Sequence, residues 1–183
     1  MKAVISIDYS NDFVASDGAL TAGEPAQAIE KDTVRLLKDS IGNGDFVVFA
    51  DDIHEANDHY HPETELFPPH NLIDTTGRQL YGQVQDVYDQ NKHLDTVYWL
   101  DKTRYSAFAG TDLDIKLRER HIQEVWLSGV VTDICVLHTA VDAYNLGYDI
   151  VVVENCVASF NQTGHEWALD HFKNSLGAKV ITY

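Results

Sequence analysis

The stretch Ser128–Gly147, SGVVTDICVLHTAVDAYNLG, passes from an apolar, strand-like run into a helix and places Cys135 close to the turn. We expect Thr132 to be the N-cap of this helix and Gly147 to lie just past its end. A cysteine in the first turn of a helix lies where unpaired N–H groups and the positive end of the helix dipole favour a thiolate. The alternative is an inert core thiol, because free cysteine is among the most buried residue types.

Apolar runs of this kind recur along the chain and alternate with helical segments. The predicted strands are Lys2–Asp8, Asp45–Asp52, Thr96–Lys102, Glu124–Gly129, Tyr148–Asn155 and Lys179–Tyr183. The predicted helices are Pro25–Gly42, Asp112–Arg120, the helix after Thr132, and Gly164–Gly177. Continuous apolar strands that alternate with helices predict a parallel sheet covered on both faces. The predicted fold class is therefore a three-layer α/β/α fold with a six-stranded, mainly parallel sheet, in one domain over residues 1–183.

Composition excludes several classes of partner. The formal net charge of −16 argues against nucleic acid and anionic membranes, which need clustered Lys and Arg. No apolar run approaches the length of a membrane span, and the first apolar run is too short for a signal peptide. Two cysteines in 183 residues do not form a disulfide framework. We expect a cytoplasmic protein with reduced thiols.

The segment from Asp51 to about Thr96 departs from the alternating pattern. Its first part, Asp51–Gln83, carries several carboxylates and four histidines, His54, His59, His61 and His70, and the periodicity is weak. A loop this long in a compact domain is usually functional or disordered. Its aromatic residues and prolines indicate order, so we expect a functional segment. The alternative is a solvated polar excursion whose histidines have no common role.

Polar residues that follow predicted strands are the candidates for chemistry, because ligands of open α/β sheets bind beyond the carboxyl ends of the strands. This criterion selects Asp8, Asp52, His54, Lys102 and Cys135. Each has an ordinary structural explanation when taken alone, such as a turn cap, a surface charge or a core thiol.

Taken together, these residues fit nucleophilic catalysis. Cys135 would be the nucleophile, Asp8 the base that takes and returns its proton, and Lys102 a source of positive charge. The N–H groups of Val131 and Cys135 could face a developing oxyanion. Cys156 is expected to be an inert core thiol, because it follows a strand with no helix opening at it.

Three motifs resemble the isochorismatase-like cysteine hydrolases. IDYSNDF at Ile7–Phe13, KTRYSAF at Lys102–Phe108 and SGVVTDICV at Ser128–Val136 resemble that family's D-x-Q-N-D-F, K-x-x-x-S-x-F and G-x-x-T-x-x-C-V. The resemblance implies a catalytic Asp, Lys and Cys at Asp8, Lys102 and Cys135. It also implies a cis peptide at Val130–Val131 that aims an oxyanion-hole N–H. One departure is Tyr9-Ser10, where the family has Thr or Leu followed by Gln.

A further resemblance lies in the histidine-rich segment. DDIH followed by LFPPHNLIDTTGRQL is similar to the nicotinamidase pattern D-x-H and W-P-x-H-C-V-x-G-T-x-G-x-x-L. It implies one divalent metal ion in a loop region at about residues 51–90, with Asp52, His54 and His70 as ligands. Mixed nitrogen and oxygen ligation suits zinc, with iron or manganese as alternatives. The position of the additional ligand is open between His59, His61 and Glu63, and Glu63 is favoured over His61.

The activity that this resemblance implies is a metal-dependent hydrolysis of nicotinamide to nicotinate and ammonia through a cysteine thioester, in NAD salvage. Pyrazinamide is a possible second substrate, and relatives self-associate, which implies a homo-oligomer. Phe13 and Tyr105 would sandwich the flat ring, with Val130 beside them, although Phe13 could equally be a core residue. Two alternatives stay open: a metal-free amidohydrolase of the same family acting on another small amide, and a non-catalytic ligand-binding module.

Overall fold

The computed structural model describes residues 1–183 and contains one six-stranded sheet in the order β3-β2-β1-β4-β5-β6. All strand pairs are parallel. The strands are β1 Ala3–Ile7, β2 Phe46–Asp52, β3 Val97–Lys102, β4 Glu124–Val130, β5 Asp149–Ala158 and β6 Lys179–Ile181. The α-helices are α1 Asn11–Val14, α2 Glu24–Ala28, α3 Glu30–Gly42, α4 Gly82–Asn91, α5 Leu113–Glu119, α6 Leu137–Asn145 and α7 Gln162–Asn174. The predicted fold class is confirmed.

Two apolar cores lie on opposite faces of the sheet. Alternation along β1 sends Ala3, Ile5 and Ile7 into one core and Val4 into the other. Helices α5, α6 and α7 cover the first core, and α2, α3 and α4 cover the second. Both faces of the central strands are therefore buried, which explains their continuous apolar sequences.

The segment after β2 contains a helix that the sequence pattern did not predict. Helix α4 buries only Val84 and Val87. The other side chains are mostly polar, so its helical periodicity rests on two residues. Upstream of it, the chain forms short 3-10 turns at Pro62–Glu65 and Thr76–Arg78. The predicted helix Pro25–Gly42 is also divided in two, because the N–H of Ile29 bonds to the carbonyl of Gln27 and the helix restarts at Glu30.

The turn between β4 and α6 also differs from the prediction. Residues Thr132–Val136 form a π-helical turn, and Val131 precedes it as the capping residue in place of Thr132. The hydroxyl of Thr132 instead lies 2.9 Å from His165 Nδ1. At the other end, Gly147 follows the last turn of α6 with φ of 83°, as expected for a glycine that closes a helix.

Two smaller features complete the fold. Cys156 lies inside β5 rather than after a strand, and it is fully buried in the second core, as expected for an inert thiol. Neither cysteine forms a disulfide. No helix is long and apolar enough to cross a bilayer.

Candidate active site

The carboxyl ends of three neighbouring strands bring Asp8, Asp52 and Lys102 together. The amide of Asp8 donates to the carbonyl of Ala50 at 2.9 Å, and the amide of Asp52 donates to Asp8 Oδ1 at 2.9 Å. Lys102 Nζ lies 2.7 Å from Asp8 Oδ2 and 2.5 Å from Asp52 Oδ1. Lys102 has no exposed surface. The site therefore holds a buried ammonium between two carboxylates.

The backbone around Asp8 is held in an unusual conformation. Asp8 has φ of 53°, in the left-handed region that residues other than Gly, Asn and Asp rarely adopt. Gly129 in β4 packs against the backbone of Ile7, and a Cβ at residue 129 would overlap the Ile7 carbonyl oxygen. The glycine of the G-x-x-T motif thus permits β4 to approach the residue that precedes Asp8.

Cys135 lies in the π-helical turn after β4 and completes the group. One donor atom from each of Asp8, Asp52 and Cys135 lies within 4.8 Å of the other two. The sulfur is thus within reach of a charged neighbour, although only 6% of the residue surface is exposed.

Burial controls the protonation of this group. Burial and the nearby Asp52 charge raise the pKa of Asp8 to about 7, against the opposing effect of Lys102. Burial raises the pKa of the Cys135 thiol well above its usual value, and the charge of Lys102 offsets only part of that effect. The effect of burial on the thiol opposes the thiolate that a helix N-terminus favours, so the reaction needs a base to remove the proton, which is the role predicted for Asp8.

The two other charged groups stay ionised. Although burial alone would neutralise Lys102, the charges of Asp52 and Asp8 raise its pKa well above the usual value. Burial would raise the pKa of Asp52, but the charge of Lys102 and the nearby His54 ring outweigh burial and lower that pKa. An ammonium and one carboxylate are thus fixed charges next to Asp8 and Cys135.

A second cluster shares Asp52 with the first. Asp52, His54, Glu63 and His70 each offer a donor atom within 4.8 Å of the others, and all four side chains are buried. His54 Nε2 lies 3.8 Å from Asp52 Oδ2, and His70 Nε2 lies 3.5 Å from Glu63 Oε2. The two Nε2 atoms and Asp52 Oδ2 have no hydrogen-bond partner in the protein. Buried polar atoms without partners are costly, and two nitrogens and two carboxylates suit a divalent cation. The residues fit a metal site.

The structure separates the candidates for the additional ligand. His61 Nε2 lies 2.7 Å from the carbonyl of Thr103, and His61 Nδ1 accepts from the amide of Glu63 at 3.2 Å. Both ring nitrogens of His61 are therefore engaged. His59 is exposed. Glu63 is the residue of this segment that joins the cluster.

The residues expected to contact a ring lie at the edges of this site. Phe13 is 8% exposed, belongs to the second core and meets the His70 ring edge-on at 5.3 Å. Tyr105 is half-buried against the first core, with its ring 5.2 Å from that of His138. Val130 is buried at the end of β4, and the Val130–Val131 peptide is cis, as the resemblance implied.

Two features of the site carried no clear signal in the sequence. Asp51 is buried beside Asp52, and neither of its carboxylate oxygens has a partner. Burial and the charge of Asp8 raise its pKa well above the usual value. Phe67, which stands where the nicotinamidase pattern has Trp, lines a cavity of about 400 Å³ together with His54, Glu63 and His70. Asp8, Lys102 and Cys135 do not line that cavity. The cavity therefore borders the metal-type cluster and not the group around Cys135.

Comparison with known proteins agrees with this geometry. The chain matches the isochorismatase domain family over residues 2–183. It is 63% identical to the uncharacterized isochorismatase family protein PncA of Bacillus subtilis strain 168, over 98% of each chain. It is 62% identical to the solved nicotinamidase/pyrazinamidase PncA from Bacillus subtilis, with a TM-score of 0.98 over 99% of this chain and 100% of that one.

Two further solved structures are similar. The pyrazinamidase/nicotinamidase from Streptococcus mutans UA159 is 56% identical, with a TM-score of 0.97 over 99% of this chain and 100% of that one. The pyrazinamidase of Pyrococcus horikoshii, solved in complex with zinc, is 26% identical with a TM-score of 0.84 over 100% and 99%. The chain belongs to the isochorismatase family, and its resemblance to nicotinamidases is confirmed.

Proposed function

We propose that the protein is a nicotinamidase that hydrolyses nicotinamide to nicotinate and ammonia through a thioester on Cys135. The observation that carries the proposal is the buried Lys102 ammonium between Asp8 and Asp52, with Cys135 beside Asp8 and a metal-type cluster sharing Asp52. A non-catalytic binding module has no use for this costly arrangement of buried charges. The similarity to solved nicotinamidases supports the choice of substrate.

The first half of the reaction begins with proton transfer. Asp8, whose pKa is raised to about 7 by burial, accepts the Cys135 proton as the sulfur attacks the amide carbonyl carbon. The N–H groups of Val131 and Cys135 hold the oxyanion. Asp8 then gives the proton to the amide nitrogen, the C–N bond breaks, and ammonia leaves a thioester. Lys102 stabilises the negative charge that passes between Asp8 and the sulfur.

The second half returns the enzyme to its starting state. Asp8 accepts a proton from a water molecule as the oxygen attacks the thioester carbonyl. The C–S bond breaks, nicotinate is released, and the proton held by Asp8 returns to the sulfur. Each half therefore uses the same residue as base and then as acid, for which a pKa near 7 is suited.

The cluster of Asp52, His54, Glu63 and His70 would hold one divalent ion, with zinc preferred over iron or manganese. The unpartnered donor atoms support this assignment, as does the zinc in the Pyrococcus horikoshii pyrazinamidase. The ion would supply a Lewis acid for the pyridine nitrogen and so orient the ring. Phe13 and Tyr105 belong to different cores and would contact opposite faces of that ring, beside Val130.

The wider setting follows from the same proposal. Nicotinamide hydrolysis belongs to NAD salvage in the cytoplasm, and pyrazinamide, a similar ring amide, is a second expected substrate. We propose a single domain over residues 1–183 that assembles as a homo-oligomer.

A cysteine variant tests the proposal. Cys135→Ala is expected to abolish nicotinate formation, followed by chromatography, while circular dichroism shows an unchanged fold. The matched control is Cys156→Ala, which removes a buried thiol of the second core and is expected to keep activity. Appreciable nicotinate formation by Cys135→Ala refutes the mechanism, and failure of the wild-type protein to hydrolyse nicotinamide refutes the function.

A further inference from the structure

The metal-type cluster is assembled from two separate chain segments. Asp52 ends β2 and His54 lies two residues after it, whereas His70 lies in the long segment downstream, outside the sheet. A single parallel bridge between His54 and Leu72 joins the two segments. The distance between the two histidines therefore depends on how the chain around residue 71 is held.

Asn71 is the residue that makes this junction. Its carbonyl accepts from the amide of His54 at 3.1 Å, and the next bond of the bridge runs from the amide of Ile73 to the carbonyl of His54 at 3.0 Å. Asn71 has φ of 44°, in the left-handed region that asparagine tolerates better than most residues. Its backbone turns directly after His70 so that its carbonyl meets His54.

Two residues that follow Asp8 hold Asn71 in this conformation. The amide of Asn71 donates to Asp12 Oδ2 at 2.7 Å. The hydroxyl of Ser10 donates to Asn71 Oδ1 at 3.0 Å. Neither Ser10 nor Asn71 has any exposed surface. The other end of the amide, Nδ2, has no partner in the protein, so the side chain acts through Oδ1.

We propose that Asn71 is a positioning residue which, held by Ser10 and Asp12, fixes His54 relative to His70 and thereby sets the affinity of the cluster for its metal ion. The proposal rests on the proposed function only in taking the cluster as a metal site. The hydrogen bond between Ser10 and Asn71 also links the cluster to the segment that carries Asp8. Residues that orient metal ligands through hydrogen bonds typically contribute about 10–100-fold to metal affinity.

Zinc affinity of the metal-free full-length protein, measured by competition with a chromophoric chelator, tests the proposal. Asn71→Ala is expected to weaken zinc binding about 10-fold or more, and Ser10→Ala to weaken it in the same direction. The double variant Ser10→Ala/Asn71→Ala is expected to bind zinc no more weakly than Asn71→Ala, because each change removes the same hydrogen bond between Ser10 and Asn71. Asn155→Ala is the matched control, since Asn155 lies in β5, outside the metal-type cluster, and makes two hydrogen bonds to Tyr183. It is expected to lower thermal stability with unchanged zinc affinity.

A second variant covers the case in which Asn71→Ala does not fold. Asn71→Gly, which adopts a φ of 44° without strain and also removes the hydrogen bond from Ser10, is expected to weaken zinc binding in the same direction as Asn71→Ala. Unchanged zinc affinity in Asn71→Ala and Ser10→Ala, or strictly additive losses of zinc affinity, overturns the proposal.

Nicotinamide hydrolysis by the wild type is measured in parallel. Zinc binding with no hydrolysis refutes the proposed function alone, whereas hydrolysis with unaltered zinc affinity in the variants refutes this inference alone.

Discussion

Lys102 Nζ lies 2.5 Å from Asp52 Oδ1, while the other oxygen of the same carboxylate, Asp52 Oδ2, lies 3.8 Å from His54 Nε2. One side chain thus joins the catalytic-type group to the metal-type cluster. Because the carboxylate belongs to both groups, its charge would be shared between the ammonium and a metal ion bound as proposed. Changes at Asp52 should therefore have wider effects than changes at either neighbour.

The first prediction compares two residues of the metal-type cluster, Asp52 and His54. Asp52→Asn and His54→Ala are both expected to abolish tight zinc binding in chelator competition. Only Asp52→Asn also leaves the buried Lys102 with a single carboxylate, so it should lower the urea midpoint of the metal-free protein more than His54→Ala does. Equal midpoints for the two variants would contradict the shared role of Asp52.

The second prediction concerns the buried ammonium itself. Lys102→Met keeps the volume of the side chain and leaves two buried carboxylates without a counter-charge. Breaking a buried ion pair in this way costs about 3–5 kcal/mol, so the free energy of unfolding should fall by that amount in urea titrations, and activity should be lost. Lys92→Met, at an exposed ion pair with Asp89, is the matched control and should change stability little. A Lys102→Met protein as stable as wild type would contradict the account.

The third prediction is a pH dependence. Because the pKa of Asp8 is raised to about 7 by burial, the base form appears only as the pH rises through that value. The rate constant kcat/KM for nicotinamide should therefore rise between about pH 5 and pH 8 with an apparent pKa near 7. The sign for stability is opposite: the folded state retains the proton, so the contribution of Asp8 to stability is present below about pH 4 and is lost as the pH rises through 7. A rate profile that is flat across this range assigns the base to another group.

The fourth prediction tests the close approach of β4 to β1. Gly129 has φ of 111°, and its Cα faces the backbone of Ile7. Gly129→Ala should destabilise the fold by more than the roughly 1–2 kcal/mol expected from the backbone conformation alone, and should reduce activity by displacing Asp8. Gly110→Ala is the matched control, because Gly110 has φ of 74° and open space around it. If both changes cost the same in thermal unfolding, the steric argument fails.

The parts of the site that the sequence predicts are those that the sheet determines. Asp52 and Lys102 each end a strand and Asp8 directly follows one, and neighbouring parallel strands bring such residues to one edge. The convergence of these residues with Cys135 could therefore be expected before any coordinates. Glu63 could only be favoured, because it lies in a segment whose path no periodicity determines.

The remaining differences have identifiable physical causes. Helix α4 buries only Val84 and Val87, too few to produce a helical pattern. A helix N-terminus favours a thiolate, whereas the burial of Cys135 in the π-helical turn raises the pKa of its thiol. Exposure to solvent cannot be read from local sequence, so burial was the quantity that the motif could not supply.

The central claim is that Cys135 carries the acyl group during turnover, and mass spectrometry of acid-quenched enzyme tests it directly. Samples quenched during steady hydrolysis of nicotinamide are digested, and the two cysteine peptides are compared. We expect a nicotinoyl thioester on the peptide that contains Cys135 and an unmodified peptide for Cys156. Steady nicotinate production with Cys135 unmodified at every time point would contradict the account.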